Sequence, residues 1–457
     1  MSAALQIIVL AAGEGKRMRS AVPKVLQRIA EKSMLEHVLE TARTLNPQGI
    51  HLVYGHGADQ VKAAITPSAD LVWVQQTQQL GTGHAVLQAL PSIADDALVL
   101  VLFADAPLIT AATLNTLIAS TQLTQPSLLA DEVNNPFGYG RVLCNEAGQV
   151  QAVIEERDAT INQRAIRLIN TGVMAAYAKQ LKSWLSRVEN RNAQGEYYLT
   201  DIFSLAAQEK TPALCVRCQE SGEADGANDF WQLAQLERRL QTRRAKALAL
   251  NGVRLADPNR VDIRGDVDAA QGVEVDVDVI FEGKVILGKN VRVGPYTRLR
   301  NVELGENTVV HAHCDLEGVV DEGHSRIGPY ARLRPGTHLK PNVHIGNFVE
   351  VKKTQIGYGS KANHLSYLGD ALIGSEVNIG AGTITCNYDG VDKHITKIDG
   401  HAFIGSNTSL VAPVHIGDHA TVGAGSVITQ NVPSAHLTIA RAEQKNISDW
   451  KRPRGKK

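Results

Sequence analysis

Between Val275 and Ile428 an apolar side chain recurs at every sixth position: Val275, Phe281, Leu287, Val293 and Leu299; Ile327, Leu333, Leu339, Ile345 and Val351; Ile398, Ile404, Leu410, Ile416, Val422 and Ile428. No helix has that period. A chain winding in a triangular coil, with one inward side chain per face, does have it, and its coils stack as parallel strands about 4.8 Å apart. A sandwich would space its strands by about 8–12 residues. The pattern therefore predicts a parallel β-helix. The step shortens to five residues at Leu299/Leu304, Val351/Ile356 and Leu368/Ile373 and fails between Ile379 and Ile398, so Thr383 to Lys397 is expected to project as an external loop.

The first half has another rhythm. Leu5 to Leu10 and Leu98 to Phe103 are unbroken apolar runs, suited to strands buried on both faces of a parallel sheet. Gly49 to Tyr54 and Leu71 to Val74 read as further strands, and Ser33-Met34-Leu35-Glu36 has the form of a capping box opening a helix. Alternation of strand and helix predicts a doubly wound α/β sheet. Asp229 to Leu250 places Phe230, Leu233, Leu236 and Leu240 at amphipathic helical spacing among Glu237, Arg238, Arg239, Arg243 and Arg244, with no Gly or Pro before Gly252. It is expected to be a rigid arm. The predicted domains are 1–228, a helical linker 229–252, and 253–457.

Charge adds little. Among 457 residues, 47 basic and 47 acidic side chains cancel, which gives no electrostatic reason to expect nucleic acid or membrane as a partner. The tail Lys451 to Lys457 is basic and reads as a solvated end. No apolar run reaches the roughly 20 residues of a membrane span, and the N-terminus runs into a strand without a signal-peptide pattern. A cytoplasmic location is expected, and five scattered cysteines suit a reducing compartment. Cys215 and Cys218 have CxxC spacing without a second pair, which is weak support for zinc or redox chemistry.

Chemistry first surfaces at Ala11-Ala12-Gly13-Glu14-Gly15-Lys16-Arg17-Met18, directly after the first strand. Small residues there let backbone N–H groups approach an anion, and Arg17 adds charge. The stretch is neither a Walker loop nor a dinucleotide fingerprint, since Met18 stands where a third glycine would be. Asp105 ends the strongest buried strand, at the edge where open α/β sheets bind ligands, and is a candidate metal ligand. Gly138-Tyr139-Gly140 is, by itself, only a turn.

With Pro23-Lys24, the motif Leu10-x-x-Gly13-x-Gly15-x-Arg17-Met18 resembles the signature of the sugar-phosphate nucleotidyltransferases. The resemblance implies nucleotide contacts at Leu10, Ala11, Ala12, Gly13 and Lys24, and uracil contacts at Gln76, Gly81 and Thr82. It implies Mg²⁺ ligands at Asp105 and Asn228, sugar contacts at Gly140, Glu155 and Asn170, and charge neutralisation by Arg17 and Lys24. Lys16 and Ala104 depart from the family's usual Thr and Gly.

In the second half, Arg334, Lys352, His364 and Tyr367 occupy coil positions that hexads usually fill with small or aliphatic residues. Basic side chains there could hold a phosphate, and histidine titrates near neutrality, as a general base must. The array resembles the left-handed β-helix acyltransferases. That resemblance implies His364 as general base, Glu350 orienting it, and the sugar phosphate on Arg334, Lys352, Tyr367, Asn378 and Lys393. Asn387 and Tyr388 would come from the projecting loop. Acetyl-CoA is implied at Ala381, Ser406, Ala424 and Arg441, and trimeric assembly follows from the same likeness.

Together the two resemblances cover essentially the whole chain. They imply an α/β Rossmann-like nucleotidyltransferase domain, a helical linker and a left-handed parallel β-helix. The activity implied is acetyl-CoA-dependent N-acetylation of glucosamine 1-phosphate, then Mg²⁺-dependent uridylyl transfer from UTP with release of pyrophosphate. Two alternatives stay open: a nucleotidyltransferase whose β-helix only assembles a trimer and binds a regulator, and a binding protein with vestigial sites.

Overall fold

The computed structural model describes residues 3–453; Met1, Ser2, Arg454 to Lys457 and the side chain of Lys16 lie outside the described residues, and with them the Lys16 departure and the end of the basic tail. The chain divides into two compact units, residues 1–240 and 241–457.

The first unit is built on a nine-stranded sheet. Its strands are β1 (Leu5–Ala11), β2 (Gly49–Tyr54), β3 (Leu71–Gln75), β4 (Leu98–Phe103), β5 (Ser127–Glu132), β6 (Arg141–Cys144), β7 (Gln149–Ile154), β8 (Leu168–Tyr177) and β9 (Ala213–Arg217). Their order is β3-β2-β1-β4-β8-β5-β9-β7-β6. The first four pair in parallel, with Ile8 opposite His51 on one side and Val101 on the other. Beyond them the sheet is mixed, because β8 runs antiparallel to both β4 and β5. Ile7, Val9 and Ala11 enter one core while Ile8, Leu10 and Ala12 enter the other, which is why the run is apolar without alternation. The Ser33 capping box forms as read: its hydroxyl accepts from Glu36 N, and the Glu36 carboxylate accepts from Ser33 N.

The second unit is a solenoid of parallel ladders. One face stacks Val275, Val293, Val310, Ile327, Ile345, Ala362, Ile379, Ile404 and Val422, each opposite the next. Every hexad position named above is buried. Coils begin earlier than Val275, at Arg254–Leu255, which pairs with Glu274–Val275. The three five-residue steps coincide with corners turned by Asn301, Lys353 and Asp370 in the left-handed conformation. Inside, serine and threonine hydroxyls bond carbonyls of the following coil, as in Ser360 to Gly374 O at 2.7 Å and Thr354 to Leu368 O at 3.1 Å.

The expected loop is shorter than its predicted span. Ile384–Cys386 and Thr396–Ile398 are ladder strands, and Thr383, Thr385 and Thr396 point inward. Only residues 387–395 leave the coil, because threonines can fill the interior as well as aliphatic residues do.

The helix expected over Asp229 to Leu250 forms over Phe230–Leu250. In the first unit Leu236 and Leu240 are buried against Met18, Ile29, Met34, Leu108 and Ala227, while Phe230 is exposed. In the second unit Gln241 exchanges hydrogen bonds with the backbone of Ile263, and Arg244 donates to Ile263 O at 2.6 Å. Among the described residues no helix is long and apolar enough to cross a membrane. Among the described residues all five cysteines are free thiols, and burial pushes the Cys215 thiol up to about 11 and Cys218 upward as well, away from reactive thiolate character.

Candidate functional site

In the first unit the carboxyl ends of β1 and β4 bring Lys24, Asp105 and Asn228 together. The Lys24 ammonium pairs with Asp105 and donates to Asn228 Oδ1 at 2.8 Å. Two glycines permit this. Gly15, at φ +61°, lies so close to the Lys24 stem that a Cβ would sit 2.6 Å from Lys24 Cβ, and Gly226 packs so that a Cβ would lie 3.2 Å from Asp105 Oδ2. Met18 is 2% exposed and shares an apolar cluster with Leu108 and Ala227. It thus ties the turn after β1 to the segments carrying Asp105 and Asn228, which explains a large side chain where a phosphate loop would have glycine. Arg17 is exposed.

Two adjoining cavities open beside this cluster. One, of about 440 Å³, is lined by Leu10, Ala12, Gly13, Gln76, Gly81 and Thr82, with Gln79 and Glu196 among residues the sequence did not single out. Ala11 is buried on the opposite face of β1 and does not line that space. Gln76 is buried, donating to Gly81 O at 3.2 Å and meeting His84 Nδ1 at 2.9 Å. Gly81, at φ +113°, leaves no room for a side chain, since a Cβ would sit 2.6 Å from Tyr197 O.

The second cavity, about 250 Å³, is lined by Thr82, Tyr139, Gly140, Glu155, Asn170 and Thr200 among others, so Thr82 borders both. Asn170 Oδ1 accepts from Gly172 N at 2.9 Å, and its own N–H donates to Gly140 O. Burial pushes the Glu155 carboxyl above its ordinary range, against a hydrogen bond from Thr200 at 3.3 Å. Burial, with Asp225 beside it, pushes Tyr139 up to about 12.

The second unit assembles its polar residues by stacking. Asn347 and His364 are partners in adjacent coils, and His364 Nδ1 meets Asn347 Oδ1 at 2.9 Å. The same corner continues upward: Gly382 N donates to His364 O, Asn407 N to Ala381 O, Gly425 N to Ser406 O, and the Arg441 guanidinium to Ala424 O. His364, Ala381, Ser406, Ala424 and Arg441 thus form one column, with His364 exposed at its base. Glu350 does not contact the imidazole; it accepts from Arg334 Nη1 at 2.9 Å. The side chain that meets the His364 imidazole is Asn347, which its one-coil spacing could have revealed.

Across a narrow face bearing Glu350 and Tyr367 in register lies a second corner. Arg334 N bonds Val351 O there, and Lys352 pairs with Gly369. Lys393 is held below the usual lysine range because it meets the Lys352 ammonium, and two cations in contact favour an anion between them. Asn387 is buried and donates to Asp370, whereas Tyr388 is exposed and donates to Gly390 O at 2.5 Å. Asp389 shapes this loop by accepting from Val391 N and Asp392 N. Asn378 lies on a different face, between Lys361 and Phe403.

Comparison with known proteins gives two family matches: the MobA-like NTP transferase domain over residues 7–171 and the bacterial transferase hexapeptide (six repeats) over residues 395–430. Among curated relatives, the bifunctional protein GlmU of Stenotrophomonas maltophilia (strain K279a) is 58% identical, covering 99% of both chains. That of Xylella fastidiosa (strain M23) is 55% identical over 100% of this chain and 99% of its own. That of Xanthomonas axonopodis pv. citri (strain 306) is 56% identical over 99% of each.

Proposed function

The chain belongs to the family of bifunctional GlmU proteins, and on that premise we propose that it makes UDP-N-acetylglucosamine in two steps, as a cytoplasmic homotrimer using Mg²⁺. The observation that carries this reading is the pairing, in one chain, of the Lys24–Asp105–Asn228 cluster beside two cavities with the Asn347–His364 pair on the β-helix.

In the acetyl step, Asn347 Oδ1 accepts the Nδ1 proton of His364, which leaves Nε2 as the base. His364 takes a proton from the sugar amine as the nitrogen attacks the thioester carbonyl of acetyl-CoA, and the C–S bond breaks to release the coenzyme A thiol. Lys352, Lys393 and Arg334 hold the sugar phosphate, Tyr367, Asn387 and Tyr388 serve the same substrate, and Asn378 serves it from the ladder that carries His364. The backbone along Ala381, Ser406 and Ala424, with Arg441, serves acetyl-CoA.

In the uridylyl step, a phosphate oxygen of N-acetylglucosamine 1-phosphate attacks the α-phosphorus of UTP and pyrophosphate leaves, a reaction that needs positioning and charge neutralisation but no covalent nucleophile. The cavity containing Gln76, Gly81 and Thr82 suits the nucleotide, and the one containing Gly140, Glu155 and Asn170 suits the sugar. Asp105 and Asn228 fit a hard cation: they offer a carboxylate and an amide oxygen, and already share one cation, the Lys24 ammonium. When bound, Mg²⁺ would neutralise the triphosphate and the departing pyrophosphate. Lys24 and Arg17 then face the phosphates.

The trimer is supported by an exposed ladder of rings, Tyr296, His313, Tyr330 and Phe348, stacked at centroid distances of 4.9, 4.7 and 5.3 Å, an apolar strip suited to a second copy. Supplying the protein with glucosamine 1-phosphate, acetyl-CoA, UTP and Mg²⁺, and following free thiol and pyrophosphate separately, tests the reading. Thiol is expected without UTP, and pyrophosphate only once the acetylated sugar is formed or supplied. Pyrophosphate without any thiol release would reduce the β-helix to an assembly device.

A further inference from the structure

Glu223 is 1% exposed, yet every hydrogen bond it accepts comes from a neutral donor. Thr110 donates to Oε2 at 2.8 Å, while Thr113 at 2.6 Å, Gln219 N at 2.8 Å and, more distantly, Glu220 N at 3.5 Å donate to Oε1. A buried carboxylate held this way gains less than it would from a cation and is costly to desolvate, so stability alone is a weak reason for it to be there.

Its position supplies a better one. Thr110 is the N-cap of the helix Ala111–Ser120, which opens just after the Asp105 turn, while Glu223 begins the loop that ends at Asn228. One side chain therefore fastens the Asn228 loop to the segment that carries Asp105. Around it, Asp131 accepts from Gly222 N at 2.6 Å, and Arg239 donates to Gly222 O at 3.0 Å and pairs with Asp225. Asp225 in turn accepts from the Tyr139 hydroxyl, which lines the second cavity. Gly226 then packs against Asp105, and Ala227 is buried beside Met18 and Leu108.

We propose that Glu223 is a positioning residue that fixes the separation of Asp105 and Asn228, so that a divalent cation meets both oxygens preassembled. This rests on the reading of Asp105 and Asn228 as metal ligands. Its role is distinct from theirs, because it touches neither ligand side chain and acts through the loop and the N-cap. Glu223→Gln keeps the volume but turns an amide NH₂ toward hydroxyl and N–H donors, which loosens the clamp.

The test is a titration of Mn²⁺ into the full-length protein with UTP present, followed by loss of the free-ion electron paramagnetic resonance signal. In Glu223→Gln the dissociation constant is expected to rise about tenfold, as for other groups that support metal ligands. Half-activation of uridylyl transfer by Mg²⁺ should move by the same factor, kcat at saturating Mg²⁺ should stay within about twofold of the parent, and acetyl transfer should not change. If Glu223→Gln does not fold, Thr113→Val, which removes one donor, decides with a smaller shift in the same direction. Unaltered Mn²⁺ binding in whichever variant folds overturns the proposal, as does a fall in kcat with no change in metal dependence. Asp105→Asn, titrated in parallel, separates the two ideas. If it binds Mn²⁺ normally, the metal-site reading fails; if it loses Mn²⁺ while Glu223→Gln binds normally, only the positioning role fails.

Discussion

The two candidate sites assemble polar residues by opposite means. In the first unit, Lys24, Asp105 and Asn228 come from three distant segments, and contact depends on backbone approaches at Gly15 and Gly226 and on the buried Met18. In the second, Asn347 meets His364 because the two are partners in neighbouring coils, and the same ladder places Ala381, Ser406 and Ala424 above them. A sheet with loops can vary each residue independently but must spend side chains on clamping loops. A solenoid places residues by period, so a functional substitution needs little support beyond the coil itself. Disruption should therefore stay within one site, and loop-built positions should need partners that coil-built positions do not.

The sharpest way to break this contrast is Asp105→Asn. It keeps the volume while removing the charge opposite Lys24 and the proposed metal, and uridylyl transfer is expected to disappear, with thiol release from acetyl-CoA unaffected. Pyrophosphate production at the parent rate would remove Asp105 from the site. The mirror experiment is His364→Ala. Loss of a general base costs ~10²–10⁴ in rate, so acetyl transfer should fall by that factor with uridylyl transfer from supplied N-acetylglucosamine 1-phosphate intact. A parallel fall in both would mean the units are not independent.

How far each site was legible follows from the same contrast. The inward period announced the β-helix and its buried positions without help, because one register rule repeats coil after coil. It also held the Asn347–His364 pairing, whereas the resemblance implies Glu350 as the orienting residue, and the Glu350 carboxylate accepts from Arg334 instead. The loop span failed at Thr383, Thr385 and Thr396, which are polar by composition but inward by position. In the first unit, strands were visible as apolar runs, whereas the meeting of Lys24 with Asn228 depends on loop geometry that no period encodes. There only the likeness to known nucleotidyltransferases joined the residues. Glu223 had no local signal, since a buried carboxylate reads like any surface one.

A smaller effect sharpens the comparison at Asn347. Removing one neutral hydrogen bond is worth about 1 kcal/mol, so Asn347→Ala should slow acetyl transfer roughly fivefold. Asn347→Asp places a carboxylate on the imidazole and favours its protonated form, so the ascending limb of the rate–pH profile should move to higher pH. An unshifted profile would deny Asn347 its role.

The smallest predicted change concerns the coil interior itself, where Asp321 takes the place that Leu304 and Leu339 hold in adjacent coils. It is buried, bonded to the Thr308 hydroxyl, and its Oδ1 has no partner. Burial raises its folded carboxyl above the ordinary value of about 3.9. In the window between the unfolded and folded values the folded chain holds the extra proton, so stability is greatest below the unfolded value and declines as pH rises toward the folded one. Asp321→Asn keeps an acceptor for Thr308 and cannot ionise. Its Tm should therefore fall less than the parent's as pH rises from about 4 to 7, and identical slopes would show that Asp321 titrates as an ordinary carboxylate. Because the solenoid repeats one environment in every coil, the aliphatic neighbours supply the reference against which this single exception is read.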